Sequence, residues 1–486
     1  RELRRQLGDE DIQVIAIGPA GENQVRFAAI NASMGNAAGR MGMGAVMGSK
    51  KLKAVAVRGT KGVDLHDPGK FMELALDTHK FLKESAAFQN FTKSKALGDP
   101  MFSKKAADHM PFGNYETGFW EKFLRLKVED FFAQHKIRRT GCFGCPLQCM
   151  HLVRVPEGDY GLSNCLSFLS FLGTVWNDDL TTMWQAIVLA NRYGLDAHET
   201  GGIIALLMEL YQDGVISRED TDGIAMQKGS REAILQMVHK IARREGIGDV
   251  LAEGPQRAAE AIGGDAATYV VAAKGLFPHG YQFQALEGTS LMQAVSSGEP
   301  FQTYGTGIER TIDPDNPDPR LVAQAKELYG SEEAYLPGNY SPAKVRMVID
   351  AEHRSRVPDL LGICLTSIIY VLKGAADINF LYDRQAELLN AATGTALNRH
   401  NLFDAAERLV NLERCIDGRQ GLTRKDDTLP KRFFEPFDTS ANPGKALDAE
   451  KMEEMKSVYY STRGWDPETG LPSKEKLNDL GLENIA

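Results

Sequence analysis

Three cysteines within eight positions constrain this chain more than any other feature. The run Cys142-Phe-Gly-Cys145-Pro-Leu-Gln-Cys149 has the form C-x₂-C-x₃-C. Spacings this short let one loop offer three thiolates to a single face of a metal cluster. Gly141 and Gly144 free the backbone to wrap such a cluster, and Pro146 stiffens the turn. A [4Fe–4S] cluster takes four thiolates, so a fourth must come from elsewhere, and Cys364 in Asp359-Leu-Leu-Gly-Ile-Cys364 is the candidate. A structural zinc site is the alternative. Such sites more often show paired C-x₂-C knuckles, and the sequence has neither a second knuckle nor a His pair. In a chain of 486 residues with no apolar leader, this crowding reads as a metal site more than as disulfides.

The scaffold around this loop is read from periodicity. Residues 12–17 and 53–58 are rich in β-branched side chains and read as strands. Residues 71–95, 184–193, 200–213, 231–245, 342–354 and 402–415 read as helices, most clearly where apolar residues recur at three- and four-residue spacing. The expected class is α+β. A partial, β-containing N-terminal domain (1–62) precedes two mainly helical domains, 63–272 with three cluster cysteines and 273–486 with the fourth. The net charge of −9 argues against nucleic acid as a partner. No apolar run approaches the roughly 20 residues that cross a bilayer, and no apolar signal segment follows Arg1-Glu-Leu-Arg-Arg. A cytoplasmic protein without a membrane span is expected. The chain starts on Arg and enters strand-like sequence at Ile12, so a truncated or processed N-terminus is also expected.

A glycine-rich segment, Gly39-Arg-Met-Gly42-Met-Gly44-Ala-Val-Met-Gly48-Ser-Lys-Lys, resembles two nucleotide motifs and matches neither. Lys50 follows Ser49, the reverse of a Walker loop. The glycine spacing is G-x-G-x-x-x-G, and no βαβ unit with an acidic residue about 20 positions on surrounds it. Two readings remain. Exposed N–H groups beside Arg40, Lys50, Lys51 and Lys53 suit a phosphate-bearing ligand. Alternatively, the segment is a flexible connector with a solvated basic edge.

Taken together these pieces resemble the aldehyde:ferredoxin oxidoreductase family. The resemblance rests on Gly39 to Ala54, the C-x₂-C-x₃-C run, Asn191-Arg-Tyr-Gly-Leu-Asp196 followed by a helix carrying Glu209, Asp359 to Cys364, and Gly418 to Pro430, all in family order. It implies a tungsten (or molybdenum) ion held by two pterins, with one [4Fe–4S] cluster on Cys142, Cys145, Cys149 and Cys364 beside one pterin. Asn191, Gly194, Leu195 and Asp196 would serve one pterin, and Asp359, Gly362 and Ile363 the other. Arg40, the Met41 carbonyl, Gly42 and Gly44 would lie near the phosphates and a Mg²⁺ bridging them. The implied partners are a ferredoxin or ferredoxin-like subunit and a small-molecule substrate, in an expected oligomer.

Three departures refine this expectation. A further N-terminal stretch found in the family is absent. Asn191 replaces the usual Asp, keeping an acceptor and losing the charge. The Glu after the cluster and the later His of aldehyde-oxidising members are missing from 162–168 and 295–301. The last departure resembles the tungsten subunit of class II benzoyl-CoA reductase, in which a Cys after the cluster ligates the metal. By that resemblance Cys165 is the metal-ligating and catalytic residue and His109 the proton donor, although no counterpart of the branch's Glu occurs between Asp99 and Lys105. The expected function is therefore low-potential reduction of an aryl- or acyl-CoA thioester. The alternatives are aldehyde oxidation and a non-catalytic iron–sulfur relay.

Overall fold

The computed structural model describes residues 2–32, 35–86, 88–89, 110–155, 160–163, 167–278, 284, 286–297, 308–309, 312–364, 379–437 and 444–485. It divides into two units, one of residues 1–61, 94–282 and 437–444, the other of residues 62–93, 283–436 and 445–486. Helices and two small antiparallel sheets make up the α+β fold expected. Among the described residues no helix is long and apolar enough to cross a membrane.

In the first unit, β1 (Gln13–Ile17), β2 (Ile30–Asn31), β3 (Ala37–Ala38) and β4 (Ala54–Val57) form a sheet in the order β3-β2-β1-β4. Ile15 opposes Val55, and Ala16 opposes both Ala54 and Asn31. Between β3 and β4 runs α1 (Met43–Ser49). Its glycines have a packing role. A Cβ on Gly42 would stand 2.0 Å from the Arg26 carbonyl oxygen, on Gly44 2.5 Å from that of Ala29, and on Gly48 1.8 Å from that of Gly21. The segment is thus a helix laid directly on the backbone of residues 21–29, as only glycine permits.

The rest of this unit contains a feature the periodicity does not reveal. β5 (Lys136–Thr140), β6 (Met150–Arg154) and β7 (Tyr160–Ser163) form a three-stranded meander inside the segment expected to be mainly helical. β7 packs against α2 (Leu180–Tyr193), whose Trp184 meets aromatics of the segments that flank the meander. Trp184 is fully buried, with ring centroids 5.5 Å from Phe168 and 6.0 Å from Phe132. α3 (Ala197–Gln212) follows and is buried along most of its length. Its apolar run from Ile203 to Leu207 explains why it anchors the core.

The second unit is organised on α4 (Pro342–Leu361). This helix is buried on nearly every side although it carries Lys344, Glu352, Arg354 and Arg356. Each of these charges has a partner. Lys344 reaches Glu309 at 2.7 Å, Arg354 reaches Asp350 at 2.6 Å, Arg356 reaches Glu413 at 2.5 Å, and Glu352 meets Arg463. Pairing is what makes such burial tolerable. α5 (Arg399–Arg419) and α6 (Ala449–Arg463) pack beside it, and the fully buried Arg414 of α5 makes two hydrogen bonds to Asp427, at 3.0 and 2.7 Å. The helix expected at 71–95 is observed as Pro68–Glu84, and residues 90–95 lie outside the described part.

Candidate functional site

The cysteine run is the connection of the β5–β6 hairpin, because Thr140 pairs with Met150 across its base. A Cβ on Gly141 would lie 2.9 Å from Gln148 Cα, so the loop is pinched shut there, with Cys142 and Cys149 beside the pinch. Inside it the Cys145 amide donates to the Cys142 carbonyl at 3.1 Å, and Gly144 takes φ +69° to complete the turn. Arg139 reaches over the loop to the Gln148 and Leu147 carbonyls, at 3.3 and 3.4 Å. Burial pulls its pKa down and the Cys149 side chain pushes it back up. The Asn36 amide approaches Cys142 Sγ at 3.9 Å. Cys142 is exposed, Cys145 and Cys149 are half-buried, and none of the three is in a disulfide among the described residues. Among the described residues no three His, Cys, Asp or Glu side chains are gathered closely enough to hold a metal ion. Behind the loop His151 is buried and packs edge-on to Phe132; burial, aided by Lys136 and Arg139, drives its pKa down to about 3.

The Asn191–Asp196 segment is the corner between α2 and α3. Gly194 ends α2 at φ +70°, and Asp196 begins α3 by accepting from the His198 amide at 2.8 Å. The N-terminal strand region clasps this corner. The Ala29 amide donates to the Gly194 carbonyl at 2.7 Å, the Asp196 amide to the Phe27 carbonyl at 3.1 Å, and Leu195 bridges Ala28. The Asn191 side-chain amide donates to the Leu162 carbonyl at 3.2 Å. Arg40 comes in from the turn before α1, where Met41 and Gly42 both have φ +70°. Its guanidinium lies 2.5 Å from Glu199, 2.8 Å from the Phe277 carbonyl and 3.5 Å from Asp196. Two buried carboxylates therefore share one guanidinium. Burial pushes Glu199 up to about 7 against the pull of Arg40, and Asp196 adds to the rise. His198, also buried, is lowered to about 4.

The Asp359–Cys364 segment ends α4. Gly362 turns the chain at φ +68°, the Ile363 amide closes on the Pro358 carbonyl at 2.8 Å, and the exposed Cys364 follows. Asp359 stands 3.7 Å from Arg356, and burial raises its pKa. Behind it lies a polar cavity with room for about one water molecule, lined by Ser296, Glu352, Arg356, Glu413, Tyr459 and Trp465. The Tyr459 hydroxyl donates to Glu352 at 2.9 Å, and Arg463 Nε donates to Tyr459 at 2.7 Å. A larger cavity of about 220 Å³, bordered by Tyr329, Arg346, Asp350 and His353, includes none of the expected site residues.

Cys165 and His109, the residues expected to do the chemistry, lie outside the described residues. Sequence reasoning missed Glu199 and the Glu352–Tyr459–Arg463 set. The position of Glu199 in the first turn after the capping Asp196 was the one available signal for it.

Comparison with known proteins bears on this geometry. Residues 73–482 match the family model "Aldehyde ferredoxin oxidoreductase, domains 2 & 3", and residues 1–59 match that of the N-terminal domain of the same family. The chain is 34% identical over 494 residues to the tungsten-containing aldehyde ferredoxin oxidoreductase of Pyrococcus horikoshii, covering 100% of this chain and 76% of that protein. To its counterpart in Pyrococcus furiosus it is 33% identical over 486 residues, covering 99% and 75%. The solved active site complex BamBC of benzoyl coenzyme A reductase, bound to 1,5-dienoyl-CoA, superposes with a TM-score of 0.80 at 26% identity, covering 100% of this chain and 75% of that one. The chain belongs to the aldehyde ferredoxin oxidoreductase family and is an oxidoreductase of that family.

Proposed function

We propose that this chain carries a tungsten (or molybdenum) bis-pterin and one [4Fe–4S] cluster, interconverts an aldehyde and a carboxylic acid, and exchanges electrons with a ferredoxin-like protein. The observation that carries the substrate class is the 34% identity, along the whole chain, to a protein named tungsten-containing aldehyde ferredoxin oxidoreductase. The residues fit the cofactors. Three thiols in one pinched hairpin loop, though too spread for a single ion, are a soft donor set suited to an iron–sulfur cluster, whose thiolates bind separate irons, with Cys364 as fourth ligand. Glu199 Oε2 is buried without a hydrogen-bond partner among the described residues and Asp196 Oδ2 has the 3.5 Å ion pair to Arg40 but no hydrogen bond there, and both are acceptors that ring N–H donors of a pterin would satisfy. Asp359 would play that part for the second pterin, and the Met41 carbonyl would serve a Mg²⁺ on the phosphates.

When bound, the metal–pterin group supplies two-electron transfer at the substrate carbon while the cluster passes electrons one at a time. The chain's own residues hold and orient. Arg40 fixes Asp196 and Glu199 and offsets their charge, and Glu199, raised to about 7, can hold a proton near neutral pH. The protein would work in the cytoplasm, in an oligomer or with an electron-transfer subunit.

A second reading, reduction of an aryl- or acyl-CoA thioester with Cys165 on the metal and His109 as acid, is favoured by the likeness to the benzoyl-CoA reductase complex. Anaerobically purified protein assayed for tungsten, molybdenum, iron and pterin, then for dye reduction by aldehydes and dye-linked reduction of aryl-CoA, separates these readings. Aldehyde-dependent dye reduction is the expected result. Activity with aryl-CoA alone overturns it in favour of the second reading, and iron without tungsten, molybdenum or pterin makes the chain a relay.

A further inference from the structure

The hairpin that carries the cysteine loop has an unusual charge. From Phe131 to Pro156, between Glu129-Asp130 on one side and Glu157 and Asp159 on the other, the sequence holds Lys136, Arg138, Arg139 and Arg154 and not one Asp or Glu, in a chain whose net charge is −9. Three of these four cations lie on β5, an edge strand paired only with β6 among the described strands. Arg138 is exposed, and Ile137 beside it is 45% exposed. At the tip of the loop, between Cys142 and Cys145, Phe143 is completely exposed. A fully exposed Phe is costly to leave in water, and aromatic anchors surrounded by charge are what protein interfaces use.

We propose that the β5 edge and Phe143 form the docking surface for a small acidic iron–sulfur electron carrier, with Arg138 and Lys136 steering its approach and Phe143 seating it beside Cys142. This rests on the cluster reading above. Charge complementarity selects the occupant, because the surface is basic where the chain as a whole is acidic, so a second copy of this chain meets it less well than a strongly acidic carrier. The location also suits the chemistry. Oxidation of an aldehyde to its acid consumes water and releases two protons and two electrons, and two one-electron carriers must each collect an electron next to a cluster ligand. Steering by exposed charges acts mainly on the association rate and fades as salt screens it.

The test uses the full-length holoenzyme with an acidic ferredoxin and, separately, a viologen dye as acceptor. Arg138→Glu should lower the ferredoxin-linked rate about tenfold at low salt, with the difference shrinking toward unity near 1 M salt and no fall in the dye-linked rate. Phe143→Ser should raise KM for ferredoxin at any salt, with iron content and the cluster's EPR signal unchanged. Ferredoxin rates equal to wild type in both variants, with the cluster intact, overturn the docking surface and leave the cofactor reading standing. Loss of dimers in Phe143→Ser with normal ferredoxin rates assigns the surface to a second copy and equally overturns the proposal. Wild-type protein without iron overturns the cluster reading itself, and the docking surface with it.

Discussion

Substituting the glycines of α1 one at a time separates a packing role from a ligand-cradling one. Gly42→Ala places a Cβ 2.0 Å from the Arg26 carbonyl oxygen and forces a side chain into φ +70°. Gly48→Ala places one 1.8 Å from the Gly21 carbonyl oxygen, inside a helix where alanine is otherwise favoured. In both cases the obstacle is backbone, which cannot swing aside as a side-chain tip would. Overpacking of this kind costs about 1–3 kcal/mol, and the left-handed conformation adds about 1 kcal/mol at Gly42. Gly39→Ala is the control, since nothing stands within 4 Å of its Cβ position and its φ is −80°. For a unit of this size Gly48→Ala should lower the midpoint of the first thermal transition by about 2–12 °C and Gly42→Ala by about 4–16 °C, and Gly39→Ala should change it little. Protein stripped of cofactor provides the decisive comparison, because a packing defect persists there and a lost phosphate contact does not. If Gly42→Ala and Gly48→Ala unfold with wild-type midpoints once cofactor is removed, the packing account is wrong.

Three further outcomes follow from the site and the core. Glu199 has a folded pKa of about 7 against an ordinary 4.5, so its contribution to stability is complete below about pH 4.5 and is lost as pH rises through 7. Glu199→Gln should therefore flatten the fall in stability between pH 5 and pH 8 by roughly 1–3 kcal/mol, and an unchanged slope in denaturation at the two pH values would refute this. Arg414 and Asp427 are both fully buried and joined by two hydrogen bonds. Arg414→Met alone should cost about 3–5 kcal/mol in chemical denaturation, and adding Asp427→Leu should recover most of it. Cys145→Ser should leave the far-UV circular dichroism unchanged while iron content and the cluster's EPR signal fall. Full iron retention would remove Cys145 from the ligand set.

What the sequence makes legible depends on whether the decisive partner is near in the chain. α5 is visible because its buried face recurs at Leu402, Ala406 and Val410, and β1 and β4 because β-branched residues cluster locally. α4 is the opposite case. Its burial is nearly uniform and three of its four buried charges are neutralised by Glu309, Glu413 and Arg463, which lie tens of residues away or more, so no periodicity announces that it is central. β5 hides for a related reason, since Lys136-Ile-Arg-Arg-Thr140 reads as a solvated charge run until Met150 to Arg154 is laid against it.

The same distance limits the site. The spacing of Cys142, Cys145 and Cys149 reveals a shared loop, and that loop is a hairpin connection. Arg40, with Lys50, Lys51 and Lys53 beside exposed N–H groups, reads in the sequence either as a cation for a phosphate or as part of a solvated basic edge. Its contacts are Asp196, Glu199 and Phe277, more than 150 positions on, and only the fold brings them to it. The consequence is chemical. A guanidinium already holding two carboxylates has less charge to offer an anion than a free one, so any phosphate near Arg40 must be met largely by backbone N–H groups or a bridging cation. The two consecutive left-handed residues Met41 and Gly42 lie beside it in that turn, where the sequence-level resemblance put the Mg²⁺. In the function proposed above, the turn would serve the phosphate end of the cofactor, and Arg40 would hold the carboxylates offered to its ring.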